Sequence, residues 1–155
     1  ASDVYKRRVH LDPPDPPASP SVLEAIETSD VLVLGPGSWF TSVMPHLLVP
    51  QIVEAIMDSD ALKILTLNVA GADETNGFSP ARHLEVLAEH EPRIRFDVVL
   101  ADRSFARSDP HLGTFARNLG ARIVEADLAM HDGSARHDPL RLASAYAEVM
   151  GVHIR

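Results

Sequence analysis

The stretch DVLVLGPGSWFTS, residues 30–42, decides the fold. Four consecutive apolar residues, from Val31 to Leu34, run directly into two glycines, Gly35 and Gly37. A strand that is apolar on both faces is typical of a parallel sheet covered by helices. Three further apolar runs of this kind follow along the chain, at residues 63–67, 96–100 and 121–126.

Helical patterns alternate with these runs. Apolar residues spaced by three and four predict helices within 50–57, 79–88, 112–119 and 138–150, and Ser19 and Pro20 predict the cap and first turn of a shorter one. The alternation indicates βαβ units, so the expected fold is α/β with a mostly parallel sheet. Residues 4–11 alternate in polarity and predict an edge strand, and the prolines within 12–20 predict a connector.

The length and amino-acid composition limit the kinds of protein and partner that the chain can represent. A length of 155 residues fits a single α/β domain, and a net charge of −8 makes nucleic acid a poor partner. The sequence contains no cysteine, which excludes disulfides and thiolate chemistry. No apolar run approaches the roughly 20 residues that a membrane span needs, so we expect no membrane span and a cytoplasmic location.

The loop after the first apolar run is the candidate ligand site. Ligands of open parallel sheets bind beyond the carboxyl ends of the strands. Glycines let the backbone approach a ligand, and N–H groups at the start of the next helix lie at the positive end of its dipole. The alternative is a plain strand-to-helix turn with a hydroxyl cap. The residues predicted to contact phosphate are Gly35, Pro36, Gly37, Ser38, Thr41 and Ser42.

Other polar residues near predicted strand ends carry weaker signals. Arg136 can fork onto a phosphate or form a surface salt bridge, and Asn68 can contact a ligand or cap a turn. His83 is expected to be a half-buried helix residue, and the stretch from Asp102 to Asp109 a solvent-exposed loop. The histidines lack the spacing of a zinc site, and no nucleophile–base pair is evident, so no metal ligand or catalytic residue is assigned and enzymatic activity stays open.

The chain resembles the gluconeogenesis factor family, the YvcK-like (UPF0052) branch of the CofD-like superfamily. The most specific part is GPGSWFTSVMPHLLVP at 35–50, which is similar to the GPGSxxTSxxPNLLV loop of that branch. The similarity continues through 63–68, 74–79, 96–100 and 136–138, so it covers nearly the whole chain. The CofD branch has Ser-Asn-Pro where this chain has Gly-Ser-Trp at 37–39, so the chain is closer to the YvcK-like branch.

This resemblance implies a Rossmann-like three-layer fold and a nucleotide-sugar ligand of the UDP-N-acetylglucosamine type. It implies a cytoplasmic regulatory role that links carbon metabolism to cell-wall synthesis and cell shape. It also implies ligand contacts from Asn68, Glu74, Thr75 and Arg136. The CofD branch instead transfers 2-phospholactate from a nucleotide diphosphate with Mg²⁺, so the alternative is a transferase; the binding protein itself implies no firm cofactor.

The chain departs from the family's sequence pattern in two places. Family members open with a GGGTG loop that this chain lacks, so we expect the C-terminal half of a larger CofD-like domain. The partner would then be the missing N-terminal half or a second copy of the chain. The loop at 68–75 also lacks the family's Gln-Pro-Gly run. Three hypotheses are therefore open: a nucleotide-sugar-binding regulator, a transferase, or an interaction module completed by another polypeptide.

Overall fold

The computed structural model describes residues 9–70 and 75–151. Helices alternate with four strands along the chain, as the apolar patterns predict. The strands are β1 (Val31–Leu34), β2 (Leu62–Thr66), β3 (Val98–Asp102) and β4 (Arg122–Ala126). The helices are α1 (Pro20–Thr28), α2 (Pro50–Asp58), α3 (Pro80–His90), α4 (Arg103–Arg107), α5 (Leu112–Asn118) and α6 (Pro139–Val149).

The four strands form one parallel sheet in the order β1-β2-β3-β4. Every residue of the central strand β3 is buried, because helices cover both faces of the sheet. One core cluster includes Val53 of α2, Leu84 of α3 and Ala116 of α5. The opposite face packs against α6 through Ala145. This arrangement confirms the predicted α/β fold with a parallel sheet between two helical layers.

The ends of the elements lie within two residues of most predictions, with two differences at the N-terminal side. Ser19 precedes α1, but its hydroxyl contacts Ser21 and makes no hydrogen bond to the helix backbone, so the predicted side-chain cap is wrong. Residues 9–11 are not in a strand, and the remainder of the predicted strand at 4–11 lies outside the described residues.

No regular α-helix follows the glycine loop. A five-residue π-helical turn, Trp39–Val43, continues into a 3-10 segment, Met44–Leu48. Pro45 removes a backbone donor there, which interrupts a regular α-helix. Within residues 9–70 and 75–151 no single helix is long and apolar enough to cross a bilayer, although the bent pair Trp39–Leu48 and Pro50–Asp58 meets both criteria together.

A histidine lies among aromatic rings in the core. His83 of α3 is fully buried, which corrects the expectation of a half-buried residue. The rings of Trp39, Phe78 and Phe105 lie edge-on to it, with centroids at 5.1, 5.6 and 5.8 Å. Its Nδ1 donates to the Ser79 carbonyl oxygen at 2.8 Å, and its Nε2 has no hydrogen-bond partner within the described part of the chain. The imidazole is therefore held neutral.

Because His83 is buried, we expect the folded chain to lose stability at acidic pH. Burial lowers the pKa of His83 below its ordinary value of 6.5, so the unfolded chain takes up the proton at a higher pH than the folded chain. Stability is therefore unaffected well above pH 6.5 and falls as the pH drops below it, by up to about 1.4 kcal/mol per pH unit for each such proton. Urea unfolding between about pH 5.5 and 7 should show a shallower pH slope for His83→Phe. Equal slopes in the two proteins would contradict this role of His83.

Candidate functional site

The glycine loop starts where β1 ends and crosses closely over the end of β2. Gly35 has φ +76°, and the Gly35–Pro36 peptide bond is cis. A Cβ atom on Gly35 would lie 2.5 Å from the backbone oxygen of Thr66. Such a contact is far inside the van der Waals distance, so only glycine fits at this position. The loop therefore lies at the carboxyl edge, the edge of the sheet where the four strands end.

Asn68, just after β2, holds this loop in place. Its Oδ1 accepts a hydrogen bond from the Gly37 N–H at 3.1 Å, and its Nδ2 donates to the Gly37 carbonyl oxygen at 2.9 Å. A single side chain thus fixes both polar groups of one loop residue. The sequence identified Asn68 as a ligand contact, and the structure shows a positioning role for it. One amide N–H and one oxygen lone pair remain after these bonds, so direct ligand contact stays a prediction.

Hydroxyl groups collect on the outer side of the loop. The Ser38 and Thr41 side chains are hydrogen-bonded to each other, and Thr41 and Ser42 are exposed. The Ser38 carbonyl accepts from the N–H groups of Ser42 at 2.9 Å and Val43 at 3.1 Å, which closes the π-helical turn. Because this turn is only five residues long, the predicted contribution of an α-helix dipole is wrong. Hydroxyl and backbone N–H groups would have to bind an anion here.

A second loop, residues 127–138, also lies at the carboxyl edge. The Met130 N–H donates to the Arg136 carbonyl at 2.8 Å, and the Asp138 N–H donates to the Leu128 carbonyl at 2.7 Å. These bonds and the bridge between Ala129 and His137 fold the loop back on itself as a short hairpin.

The carboxylate of Asp102, at the end of β3, anchors this hairpin. Its Oδ2 accepts from the N–H groups of Leu128 at 3.0 Å and Ala129 at 3.2 Å. Its Oδ1 caps α4 by accepting from Ser104 at 2.9 Å and Phe105 at 3.3 Å. Asp102 is 5% exposed, so the predicted solvent-exposed loop is wrong at this residue. The sequence signal was present, since an aspartate directly before a helix is a typical N-cap.

His137 makes the second attachment of the hairpin. His137 is half-buried and lies beside the backbone of Leu67, which immediately precedes Asn68. Burial lowers the pKa of His137, so the ring is neutral, and its Nε2 has no hydrogen-bond partner in the described ranges. The sequence did not identify His137 as a site residue. The contacts connect the glycine loop to the hairpin through Asn68, Leu67 and His137.

Arg136, the residue before His137, extends into solvent. Its side chain is 72% exposed and forms an ion pair with Asp132, with Nη2 and Oδ2 3.3 Å apart. Exposed ion pairs of this kind contribute little to stability. A ligand can therefore replace Asp132 as the partner of the guanidinium with little loss of free energy. Ligand contact by Arg136 stays a prediction.

Two further residues, Thr75 and Glu74, are predicted to contact the ligand. Thr75 is 1% exposed, so its side chain is enclosed by protein in this structure. Glu74 lies outside the described residues. No group of three or more histidine, cysteine, aspartate or glutamate side chains in the described ranges could hold a metal ion. The described residues therefore provide no cage of three such side chains for a metal ion.

A large open groove lies at the other end of the sheet. It has a volume of about 800 Å³ and is bordered by Asp30 and Asp60, which precede β1 and β2. Glu27, Glu54 and Asp58 also line it. Such a concentration of carboxylates repels phosphate. Electrostatics therefore make this groove a poor place for a phosphate-bearing ligand.

Comparisons with known proteins agree with the observed fold. A family model described as 2-phospho-L-lactate transferase CofD matches residues 2–138. A protein from Mycobacterium leprae, provisionally named gluconeogenesis factor, is 44% identical over 143 residues, which cover 90% of this chain and 40% of the relative. The gluconeogenesis factor of Listeria monocytogenes is 29% identical over 150 residues, covering 89% of this chain and 47% of the relative.

A solved structure of the same family has a similar fold. The crystal structure of a UPF0052 family member from Bacillus halodurans superimposes with a TM-score of 0.73 at 29% identity, over 88% of this chain and 48% of that one. The chain thus spans less than half the length of these relatives. The matched region includes the glycine loop, Asn68 and the hairpin that carries Arg136. This chain belongs to the CofD family, together with relatives named gluconeogenesis factors.

Proposed function

We propose that the carboxyl edge binds a phosphate-bearing nucleotide ligand of the nucleotide-sugar type. The observation that carries the proposal is the glycine loop, fixed at Gly37 by Asn68 and presenting the hydroxyls of Thr41 and Ser42. A preorganised loop binds without the entropic penalty of ordering it. Arg136 would supply a positive charge to the diphosphate of such a ligand.

The relatives' name, gluconeogenesis factor, supports a role in carbon metabolism, and the family resemblance suggests the rest of the proposed cellular role. We propose a cytoplasmic regulatory protein that binds UDP-N-acetylglucosamine and links carbon metabolism to cell-wall synthesis and cell shape. Regulation by binding requires no turnover. His83 supports this proposal, because it is 0% exposed and enclosed in the fold with its Nδ1 donating to the Ser79 carbonyl oxygen.

Ligand binding should raise the melting temperature. At about a hundredfold excess of ligand over Kd, binding adds about 2.7 kcal/mol, which is about 5–10 °C for a domain of this size. Arg136→Ala should remove most of this shift and leave the unliganded melting temperature nearly unchanged, because the side chain is exposed. A thermal-shift titration with UDP-N-acetylglucosamine, UDP and inorganic phosphate measures both effects.

A matched control is available at the opposite end of the sheet. Arg93 is also exposed and ion-paired, with Glu54 and Glu91, so Arg93→Ala should retain the full ligand shift. If inorganic phosphate raised the melting temperature as much as the nucleotides do, the site would recognise only an anion. Absence of any shift, both in this chain and in a protein of the relatives' full length, would refute the proposed ligand class.

The second candidate is a transferase, favoured by the name of the matching family model, 2-phospho-L-lactate transferase CofD. In that case the glycine loop would hold a nucleotide-diphosphate donor, and fixed electrostatics would stabilise the transferring group. Incubation with such a donor, Mg²⁺ and a deazaflavin acceptor, followed by chromatography, separates the candidates. Formation of a phosphodiester product would favour the transferase, and saturable binding without product would favour the regulator.

A further inference from the structure

The π-helical turn after the glycine loop has a buried inner side and an exposed outer side. Trp39 and Phe40 are buried on the inner side, whereas Thr41 and Ser42 are exposed on the outer side. The Met44 N–H donates to the Trp39 carbonyl, which closes the turn behind the indole. Because the turn is so short, the position of the buried indole sets the direction in which the two outer hydroxyls point.

The indole of Trp39 rests on the imidazole of His83. Their ring centroids are 5.1 Å apart, and the rings are nearly perpendicular, at 85°. Phe78 lies edge-on both to His83, at 5.6 Å, and to Phe40, at 6.1 Å. Two consecutive residues of the turn are thus connected to His83, Trp39 directly and Phe40 through Phe78.

These neighbouring rings each carry a buried nitrogen, Trp39 Nε1 and His83 Nε2, that has no hydrogen-bond partner within residues 9–70 and 75–151. The Ser79 carbonyl oxygen can only accept, so neutral His83 carries its proton on Nδ1 and leaves Nε2 as a bare acceptor. The indole Nε1–H can only donate. The two rings therefore bring a donor and an acceptor to the same part of the core, and they are compatible only while Nε2 bears no proton.

Charged groups on the elements around His83 are engaged elsewhere. The turn 39–43 and the segment 75–79 contain no ionisable residue. The ionisable residues on the other surrounding elements have their own positions and partners: Asp102 with four backbone N–H groups, Arg103 in solvent, Arg107 with Glu125, Asp109 with the Ala81 N–H, Arg82 with Glu85 and Glu89, and His46 beside the Val43 carbonyl. Burial is accordingly the main cause that lowers the pKa of His83, opposed by its hydrogen bond to Ser79.

We propose that neutral His83 positions the glycine loop through Trp39, and that protonation of its Nε2 releases the indole and the turn that carries Thr41 and Ser42. A protonated ring would set two donors against each other in the core, and a buried donor without an acceptor is strongly disfavoured. Either the imidazole or the indole must then leave the cluster, and both movements displace the turn. The effect on ligand affinity rests on the proposed function, whereas the release of the turn does not.

Trp39 is itself the reporter for the first test, because the chain contains one tryptophan. An indole emits at longer wavelength in water than in an apolar core. As the pH falls from about 7.5 to about 5, the emission should shift to longer wavelength in a single protonation step, with its midpoint below 6.5 because burial lowers the pKa of His83. Circular dichroism of the helices, recorded on the same samples, should change only at lower pH.

Two substitutions on α3 form a matched pair. His83→Gln retains an acceptor but takes up no proton, so its emission should stay unshifted over the same range. His90 also places its Nδ1 2.8 Å from the carbonyl oxygen four residues earlier and has a buried Nε2 without a partner in the described ranges. It lies about two helical turns beyond His83, so His90→Gln should shift as the unsubstituted chain does.

Two outcomes of the fluorescence test would overturn the proposal. One is a shift that persists in His83→Gln, because the titrating group would then be another one. The other is a shift in the unsubstituted chain that coincides with loss of helical circular dichroism, because His83 would then support only the global fold. If melting shows that His83→Gln is unfolded, His83→Phe replaces it, since its ring also fits an aromatic cluster and takes up no proton.

A second test follows ligand affinity. The diphosphate of UDP-N-acetylglucosamine is esterified at both ends and does not titrate in this range, so any pH dependence of its Kd comes from the protein. The Kd should rise about tenfold for each pH unit below the folded-state pKa of His83, because the binding-competent fraction falls in proportion. In His83→Gln it should rise about twofold or less. His137 titrates in both proteins, so its contribution cancels in the comparison.

The two tests separate this proposal from the proposed function. An emission shift that depends on His83, without ligand binding at any pH, would refute only the proposed function. Ligand binding with the same pH dependence in both proteins would overturn the connection between His83 and the glycine loop.

Discussion

Replacing Gly35 with alanine is expected to destabilise the chain by about 2–5 kcal/mol. The positive φ of +76° disfavours any L-residue by about 1–2 kcal/mol. The new Cβ would also lie 2.5 Å from the Thr66 backbone oxygen, and relieving such overpacking typically costs about 1–3 kcal/mol more. The neighbouring atom belongs to the main chain of β2, so it cannot rotate away as a side chain would. Urea unfolding of the two proteins gives the difference directly.

Gly133→Ala separates the two contributions. Gly133 has a similar φ of +81°, but a Cβ atom there would meet nothing within 4 Å. This variant should therefore show only the backbone penalty of about 1–2 kcal/mol. If both variants lose the same stability, the close approach of the loop to β2 is not a significant constraint. If Gly35→Ala loses more, as expected, the loop is held against the end of β2 by a contact that only glycine permits.

The elements of the fold could be predicted because they depend on local patterns. The run Val31–Leu34 is apolar on both faces, and the four residues identify a strand of a parallel sheet without knowledge of its neighbours. The helix α6 begins after Asp138, whose side chain accepts hydrogen bonds from the N–H groups of Leu140 and Arg141. An aspartate directly before a helix is a capping signal that the sequence alone shows. Such signals are contained within a few consecutive residues.

The contacts that assemble the site could not be predicted, because they join residues far apart in the chain. Asn68 binds Gly37 across 31 positions, and Asp102 binds Leu128 across 26. The sequence shows a polar residue at each strand end but not its partner. An asparagine that touches a ligand and one that fixes a loop have the same local sequence. Only the partner of Asn68, the backbone of Gly37, distinguishes these two roles.

The same limit applies to the edge of the sheet. A run of four apolar residues predicts burial on both faces, and in this chain Val33 is only half covered. Among the described residues β1 has a sheet neighbour on one side only, and the local run of apolar residues does not reveal this position.

Removing the carboxylate of Asp102 is expected to have the second large effect. Asp102→Ala leaves four backbone N–H donors without their acceptor, two in α4 and two in the hairpin 127–138. A buried donor left unsatisfied costs about 1–3 kcal/mol, and water can reach part of the α4 terminus, so we expect a total loss of about 3–5 kcal/mol. Asp102→Asn retains one acceptor oxygen and should lose about 2–3 kcal/mol.

Asp138→Ala is the control, because within the described ranges the Asp138 carboxylate caps α6 through two N–H groups and pairs with Arg141 of the same helix, but anchors no second segment. Loss of a cap alone should cost about 1 kcal/mol. Hydrogen exchange then locates the effect: in Asp102→Ala the amides of Leu128 and Ala129 should exchange faster, and in Asp138→Ala they should not. Equal losses of stability in the two variants would mean that Asp102 acts only as a cap. A larger loss with faster exchange in the hairpin would show that one buried carboxylate holds the Arg136 loop at the carboxyl edge, where any ligand contact by Arg136 requires it.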